Sequence, residues 1–188
     1  MTWEGLSPPY RTLAVDPPWP ITWTAEKSRN RNRGNKRALS YTPMPVTQIA
    51  ALPVGNLAAE DAHLYLWVTS QWFRDGTGYK IAQAWGFKPR AEIIWRKPGI
   101  GLGTFPRLAH EYLLIAERGQ LPFAGPRDVA SVQDWPYLYA KGRVHSAKPA
   151  AALDLIEQQS PGPYAELFAR QPRFGWDSWG WGYEGAAS

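Results

Sequence analysis

Residues 16–19 read Asp-Pro-Pro-Trp, and they combine oxygen acceptors with an aromatic ring. Ionised Asp16 accepts hydrogen bonds and donates none, while Pro17 and Pro18 have backbone carbonyls but no N–H. Trp19 adds a broad π-face. Such a group suits a flat ligand that carries an amine, because the acceptors take its two N–H hydrogens and the ring stacks on indole. The exocyclic amine of adenine or of cytosine has this form.

The same acceptors would also activate that amine, whose lone pair is delocalised into the aromatic ring. Hydrogen bonds to Asp16 and to a proline carbonyl favour a tetrahedral nitrogen and stabilise the positive charge that develops on it. The electrophile must then lie in line, at about 3 Å. The alternative is a strand that ends in a proline-rich turn with Trp19 in the core, and these four residues alone do not separate the two interpretations.

The composition narrows the class of protein. The 188 residues predict a single domain, 1–188, that is large enough for a substantial core. The net charge of +5 favours a polyanionic partner, because Lys and Arg displace counterions from phosphates. There are no cysteines, and His63, His110 and His145 lie far apart, so no metal site is expected. The absence of a leader and of an apolar run of ~20 residues predicts a cytoplasmic protein with no membrane partner.

Apolar runs separated by helical segments predict an α/β fold, with a mostly parallel central sheet covered by helices on both faces. The predicted strands are Tyr10–Val15, Ala62–Val68, Ala91–Trp95, Tyr112–Ala116 and Tyr164–Phe168. The predicted helices are Val46–Leu52, Gln71–Trp85 and Pro149–Gln159, with Ser146 as a candidate cap of the last one. Ligands bind beyond the carboxyl ends of such strands. The edge expected to carry the site therefore includes Asp16–Trp19, Thr69–Ser70, Arg96–Pro98 and Ala169–Arg170.

One segment cannot contribute to a core. Lys27–Arg37 has no acidic and no aliphatic residue, and it contains Lys27, Arg29, Arg31, Arg33, Lys36 and Arg37. We interpret it as a mobile loop that binds phosphates, because it follows the Asp-Pro-Pro-Trp motif closely. The alternative is a solvated surface loop. Arg96 and Arg107 are further candidates for phosphate contacts, or they are ordinary surface charges.

The motif and five later stretches resemble a known family. Asp-Pro-Pro-Trp after a first strand resembles the motif of amino-methyltransferases, and the whole order resembles the MT-A70 family of adenine-N6 methyltransferases. The later stretches span nearly the whole chain: YLWVTS (65–70), WGFKPRAEIIWRKPGIGLG (85–103), HEYLLIAERG (110–119), HSAKP (145–149) and ELFARQPRFGWDSWG (166–180). The resemblance implies a Rossmann-like class I methyltransferase fold in permuted order, which uses S-adenosylmethionine as its cofactor.

The resemblance also implies roles for individual residues. Asp16, Pro17, Pro18 and Trp19 would hold the target adenine. The residues that it assigns to the cofactor are Asp16, Lys148, Ser146, Glu166, Arg170, Gln171 and Trp181. Lys148 would pair with the cofactor's carboxylate at the start of the last predicted helix, and its alternative is a solvated lysine. Glu166 is either a ribose ligand or a partner of Arg170.

Three positions stay open. Trp181 stands where relatives often have Asn, so the adenosine would be held by stacking on Trp181 or by Gln171, or cofactor affinity is reduced. His145 either orders the turn before Lys148 or packs in the core. Glu111, in the stretch HEY, is either a structural ion pair or a substrate contact.

The favoured function is transfer of a methyl group to the N6 amine of adenine in nucleic acid, with DNA favoured over RNA. Two alternatives remain: a non-catalytic nucleic-acid-binding subunit of a methyltransferase complex, and a cytosine-N4 methyltransferase. A homodimer or a heterodimer is compatible with the sequence.

The basic loop generates the first prediction. Replacing its six basic residues by Gln should make the dependence of nucleic-acid affinity on salt shallower, by about 0.9 in log–log slope for each duplex phosphate contact that is lost. Affinities measured by fluorescence anisotropy between low and physiological salt test this. The matched control replaces Asn30, Asn32 and Asn35 by Gln, which keeps the charge. An unchanged slope in the charge-neutralised variant would show that the loop does not bind phosphate.

Overall fold

The computed structural model describes residues 3–20, 42–100, 106–136 and 147–180. Within these ranges the chain forms seven strands that belong to one sheet. The strands are β1 (Tyr10–Val15), β2 (Ala58–Val68), β3 (Lys88–Arg96), β4 (His110–Arg118), β5 (Val132–Gln133), β6 (Tyr164–Leu167) and β7 (Trp176–Trp179). The α-helices are α1 (Val46–Ala50), α2 (Ser70–Arg74), α3 (Thr77–Ala84) and α4 (Ala150–Gln159), and a short 3₁₀ turn covers Val54–Asn56. None of these helices has the length and apolarity that crossing a bilayer requires.

The sheet has the order β5-β3-β4-β2-β1-β6-β7. β1 is parallel to both β2 and β6, β6 is parallel to β7, and β3 is parallel to β5. β4 is antiparallel to both of its neighbours, β2 and β3. The predicted α/β fold with a mostly parallel sheet is therefore confirmed. Because β4 runs the other way, it begins at the edge where β1, β2, β3 and β6 end.

Two apolar clusters lie on opposite faces of this sheet, because strand side chains alternate. Leu13 and Val15 of β1 pack into a cluster with Ile49 of α1 and Ile81 of α3. Ala14, between them in β1, packs into the other cluster, to which α4 contributes Ala152 and Ile156. Helices therefore cover both faces, as predicted, and we refer to the second surface as the α4 face.

Several predicted element bounds need correction. Gln71–Trp85 is not one helix, because Gly76 adopts a left-handed conformation (φ 77°) that separates α2 from α3. Asp75 Oδ1 accepts a hydrogen bond at 2.9 Å from the amide of Thr77, the first residue of α3. β2 begins four residues earlier than predicted, at Ala58. The strands β5 and β7 were not predicted at all.

A buried polar network joins His63 and Tyr65 of β2 to Ser160, which follows the last residue of α4. Nε2 of His63 lies 2.8 Å from the Leu121 carbonyl, which can only accept, so this nitrogen carries the proton. Nδ1 therefore accepts from the Ser160 hydroxyl at 2.7 Å, and the Tyr65 hydroxyl completes the network by donating to Ser160 Oγ at 2.7 Å. His63 is fully buried, and its ring stacks on Phe123 at a centroid distance of 4.0 Å.

This network predicts a pH dependence of stability. Burial lowers the pKa of His63 below its ordinary value of 6.5. Below that pH the unfolded chain binds a proton that the folded chain excludes, so the free energy of unfolding should fall as the pH falls from about 6.5 through the folded pKa. Urea unfolding at pH 7.5 and 5.5 measures this, with His63→Gln as the reference that cannot titrate. Equal losses of stability on acidification in both proteins would contradict the assignment.

Candidate active site

Strand alternation brings the charged residues of the site to one face of the sheet and to one edge. Each of three charged residues lies two positions along the chain from a buried side chain of the α4 face, and therefore belongs to the same face. Asp16 follows Ala14, Lys97 follows Trp95, and Glu111 precedes Leu113. Asp16 and Lys97 follow strands that end at this edge, whereas Glu111 reaches it because β4 begins there. Lys148 arrives from the same side, since it lies two residues before α4.

Lys148 stands between two carboxylates. Its Nζ donates a hydrogen bond to Asp16 Oδ2 at 2.7 Å and lies 3.4 Å from Glu111 Oε2. The ammonium also sits over the ring of Trp67, 5.4 Å from its centroid, which adds a cation–π contact. The three charged side chains are only 12–14% exposed, so these interactions are poorly screened by solvent. This contact was not predicted: the resemblance assigned Lys148 to the cofactor's carboxylate, whereas in the structure its ammonium pairs with Asp16.

A second lysine extends this arrangement. Lys97 Nζ forms a short ion pair with the other oxygen of Glu111, Oε1, and lies over the ring of Trp95 at 5.1 Å. Lys97, Glu111, Lys148 and Asp16 thus form a row of alternating charges, which we call the four-charge chain. Its formal charge is zero.

Burial and mutual attraction set the protonation of this chain. Burial raises the pKa of Asp16, and the attraction of Lys148 only partly offsets that effect. For Glu111, burial is outweighed by the charges of Lys148 and Lys97, which lower its pKa. For Lys148, burial is outweighed by Asp16 and Glu111, which raise its pKa and keep the ammonium charged. Burial therefore favours the protonated form of Asp16, whereas the neighbouring charges favour the charged forms of Glu111 and Lys148.

A second group of polar residues lies beside Asp16 at the end of β6. Burial and the nearby Asp16 charge raise the pKa of Glu166 to about 7. Arg170 is near enough for its charge to lower the pKa of both Asp16 and Lys148. On β7, Ser178 pairs in register with Glu166, and its buried hydroxyl makes no hydrogen bond to any other described residue.

The turn after β6 is tightly constrained. Phe168 has a φ of 63°, a left-handed conformation that few side chains adopt without support. Its ring packs edge-on against Trp179, and the amide of Ala169 donates to the Trp179 carbonyl at 2.9 Å. A Cβ on Gly180 would lie 1.9 Å from the Ala169 carbonyl oxygen, so only glycine fits there. The chain therefore leaves β7 pressed against the residues that precede Arg170.

The Asp-Pro-Pro-Trp motif is more deeply built into the fold than its sequence predicts. The Pro17 carbonyl accepts from the Trp19 amide, and the Pro18 carbonyl accepts from the Met44 amide, each at 2.8 Å. The Trp19 ring is only 2% exposed, and its Nε1 donates to the Trp67 carbonyl at 2.8 Å. The expected open π-face is thus absent at Trp19, because the ring fills the core beneath the turn. Asp16 is the member of the motif whose polar atoms face the site.

The other predicted residues lie apart from the four-charge chain or outside the described ranges. Arg96 makes a bidentate ion pair with Asp134, both largely exposed, beside a depression of about 530 Å³ that Lys97 and Trp135 also line. Arg107 and Gln171 are exposed. The predicted residues outside the described ranges are Lys27, Arg29, Arg31, Arg33, Lys36, Arg37, His145, Ser146 and Trp181. Pro149 occupies the N-cap position of α4 and makes no side-chain cap hydrogen bond.

Sequence reasoning missed two of these residues and left a third open. Lys97 and Ser178 were not singled out, and Glu111 was named with two alternative roles, of which the structure shows the ion pair. The available signal was the alternation itself: Trp95 and Lys97, or Trp176 and Ser178, share a face once the strands are placed. That placement depends on strand bounds that the apolar runs define only approximately. Within the described residues, no group of three or more acidic or histidine side chains could hold a metal ion.

Comparisons with known proteins give consistent results. The family model described as MT-A70 matches residues 10–182. The type II methyltransferase M.MunI of a Mycoplasma species is 27% identical over 91% of this chain and 76% of its own length. The N6-methyladenosine RNA methyltransferase MTA1 of Pyricularia oryzae is 29% identical over 93% of the chain and 47% of its own length. The human N(6)-adenine-specific methyltransferase METTL4 is 29% identical over 91% of the chain and 37% of its own length. The chain therefore spans less than half the length of these last two relatives.

The site generates a prediction about stability. Lys148→Met leaves Asp16 and Glu111 as neighbouring carboxylates that are partly buried without their shared cation, which should cost about 3 kcal/mol at pH 8. The loss should shrink at pH 5.5, because the two carboxyls then take up protons. Urea unfolding at both pH values measures the difference. The matched control, Lys88→Met, removes an exposed lysine from the opposite end of β3, and a loss for Lys148→Met that does not depend on pH would contradict the electrostatic account.

Proposed function

The chain belongs to the MT-A70 family of adenine-N6 methyltransferases, and from that premise we propose that it transfers a methyl group from S-adenosylmethionine to the N6 amine of adenine in nucleic acid, with DNA favoured over RNA. The preference for DNA draws on coverage: M.MunI, a type II methyltransferase by name, is matched over 76% of its own length, whereas MTA1, an RNA methyltransferase by name, is matched over 47%. The net charge of +5 suits either polyanion.

One observation carries the proposal: Asp16 and Lys148 meet at the edge of the sheet where the strands end. Asp16 is the acceptor that orients the N6 amine of adenine. Its carboxylate has two oxygens, and Lys148 engages only Oδ2. Oδ1 can therefore accept from the amine while the ammonium keeps the carboxylate in place. As positive charge develops on N6, the carboxylate stabilises it.

Asp16 also suits the removal of the extra proton. Once N6 carries the methyl group, one of its protons must leave, and burial raises the pKa of Asp16 toward the range in which it can accept that proton. The Pro17 and Pro18 carbonyls each retain a second lone pair beside their backbone hydrogen bond. We assign Trp19 a supporting role, since its buried ring and its bond to Trp67 fix the turn that presents Asp16.

The residues at this edge fit the cofactor. Lys148 has three N–H donors, of which two point toward Asp16 and Glu111, so the third can hold the cofactor's carboxylate at the N-terminus of α4. The Glu166 carboxylate and the Ser178 hydroxyl, which has no hydrogen-bond partner among the described residues, lie side by side, which suits a pair of ribose hydroxyls. Arg170 is close by and completes this polar group. Bound S-adenosylmethionine supplies a methyl group on a sulfonium centre, which needs no metal to activate it.

The direct test is incubation with isotopically labelled S-adenosylmethionine and single- and double-stranded DNA and RNA, followed by mass spectrometry of the nucleosides. We expect N6-methyladenine, with more label in DNA. Label in N4-methylcytosine would show that the substrate base is cytosine rather than adenine. A calorimetric titration that shows no binding of S-adenosylmethionine would instead identify the protein as a non-catalytic binding subunit.

A substitution at Asp16 tests the proposed reaction most directly. Asp16→Asn should reduce kcat by at least about 100-fold, because the amide has one acceptor oxygen, no charge, and N–H groups that oppose the incoming amine. The affinity for nucleic acid, measured by anisotropy, should be unchanged. Asp128→Asn is the matched control, since Asp128 is exposed in the segment between β4 and β5. An Asp16→Asn protein that methylates at the wild-type rate would remove Asp16 from the reaction.

A further inference from the structure

We propose that Lys97 is a positioning residue: it holds the Glu111 carboxylate at the end of the four-charge chain and thereby keeps Lys148 in place on Asp16 during methyl transfer. This inference rests on the proposed function for its catalytic consequence. Its structural part, the dependence of Glu111 on Lys97, stands on the contacts alone.

The charge balance of the site requires a second cation. Asp16 and Glu111 bring two negative charges into a site where their side chains are 12–14% exposed, and Lys148 supplies one positive charge. An uncompensated charge at such a position is unfavourable, and the group neutralises itself by taking up a proton. Lys97 removes the imbalance, because it brings the chain to two cations and two anions.

Each oxygen of Glu111 has its own lysine. Oε1 pairs with Lys97, and Oε2 faces Lys148 at 3.4 Å. Without Lys97, Oε1 loses its cation, and Glu111 then either takes up a proton more readily or turns further toward Lys148. That movement competes with the 2.7 Å bond from Lys148 to Asp16. Lys97 therefore acts on Asp16 through two intervening side chains.

The fold places Lys97 for this role. Its backbone N–H donates to the Ala109 carbonyl at 2.7 Å, which fixes the chain directly beyond β3 beside the residue that precedes β4. Its ammonium lies over the Trp95 ring at 5.1 Å, and that ring is held by a hydrogen bond from its Nε1 to the Trp135 carbonyl at 3.1 Å. The Lys97 side chain is 32% exposed, so a direct contact with substrate phosphate is the competing role that an experiment must exclude.

The charged groups that act on Glu111, directly or through its neighbours, come from four parts of the fold. Lys97 follows β3 and Lys148 precedes α4, and these two cations contact the carboxylate directly. Asp16, beyond β1, acts on it across Lys148. Beyond β6, Arg170 acts on Asp16 and Lys148, and Glu166 of β6 acts with Asp16. Replacing Lys97 leaves all of these in place except the one cation on Oε1.

The first experiment measures the carboxylate itself. The protein is labelled with ¹³C at the glutamate side-chain carboxyl, and Glu111 is assigned by comparison with Glu111→Gln. Its pH titration is followed by NMR in the wild type, Lys97→Met, Lys97→Arg and the control Lys88→Met. We expect the Glu111 titration to move to higher pH in Lys97→Met only. An unshifted titration in Lys97→Met overturns the proposal whatever the activity of the protein.

The second experiment separates positioning from phosphate binding. In Lys97→Met we expect kcat at pH 7 to fall about tenfold, the acidic limb of the pH profile of kcat to move to higher pH, and Lys97→Arg to recover most of the loss. The KM for nucleic acid and the salt dependence of binding should stay unchanged. A raised KM with a shallower salt slope and an unmoved pH profile would identify Lys97 as a phosphate contact and overturn the proposal. A wild type that methylates nothing refutes the proposed function instead, while the NMR titration still decides the link between Lys97 and Glu111.

Discussion

The hydrogen bond from Lys148 to Asp16 joins residues that are 132 positions apart, and the topology of the sheet makes it possible. β1 must end at the edge where α4 begins, so α4 has to run back across the sheet before β6 starts beside β1. The same contact requires the α4 face, since Asp16 follows Ala14 on that face. Trp67, which forms the floor under the Lys148 ammonium, belongs to the same apolar cluster. The core and the site are thus two parts of one surface.

Burying four charges is a poor way to stabilise a fold. Desolvation of each ion offsets much of its attraction to its neighbours, and apolar side chains of the same size would often serve stability as well or better. The four-charge chain is therefore better explained by its chemistry. It holds the Asp16 carboxylate at a defined place, with Lys148 on one of its two oxygens, in surroundings where the charge acts strongly on an incoming group. The large apolar clusters on both faces of the sheet supply the stability that this arrangement lacks.

The sequence predicted the parts of the fold that depend on local pattern. Tyr10–Val15 is a strand as predicted because most of its residues are apolar and it ends at a motif with two prolines. Gln71–Trp85 was wrong because Gly76 interrupts a helical pattern whose apolar residues continue beyond it. β5 has only two residues and β7 only four, too few for a periodic signal. The antiparallel direction of β4 has no signature in its own residues, since direction is a property of the whole sheet.

Prediction of the site from the sequence was limited in the same way, because contacts between distant residues depend on the arrangement of the whole sheet. The resemblance placed Asp16 and Lys148 in one site, because both belong to recognisable stretches, but it did not predict that they pair directly. The burial of Trp19 could not, since the same indole serves equally well as a platform or as core until the position of Trp67 is known. An ion pair was one of the two alternatives given for Glu111, but its partner Lys97 was missed, since the two meet only if β4 is antiparallel to β3, which pairs Trp95 with Glu111.

The two distances around Lys148 suggest how the chain responds during the reaction. The ammonium is closer to Asp16, at 2.7 Å, than to Glu111, at 3.4 Å, so it neutralises Asp16 more completely in the state described here. In the proposed reaction, a neutral amine that approaches Asp16 would meet a carboxylate whose charge is largely compensated. As N6 becomes positive, a small shift of the ammonium toward Glu111 would leave Asp16 more negative at the moment when negative charge is most useful. Lys97 sets the limit of that shift, because it competes with Lys148 for the same Glu111 carboxylate.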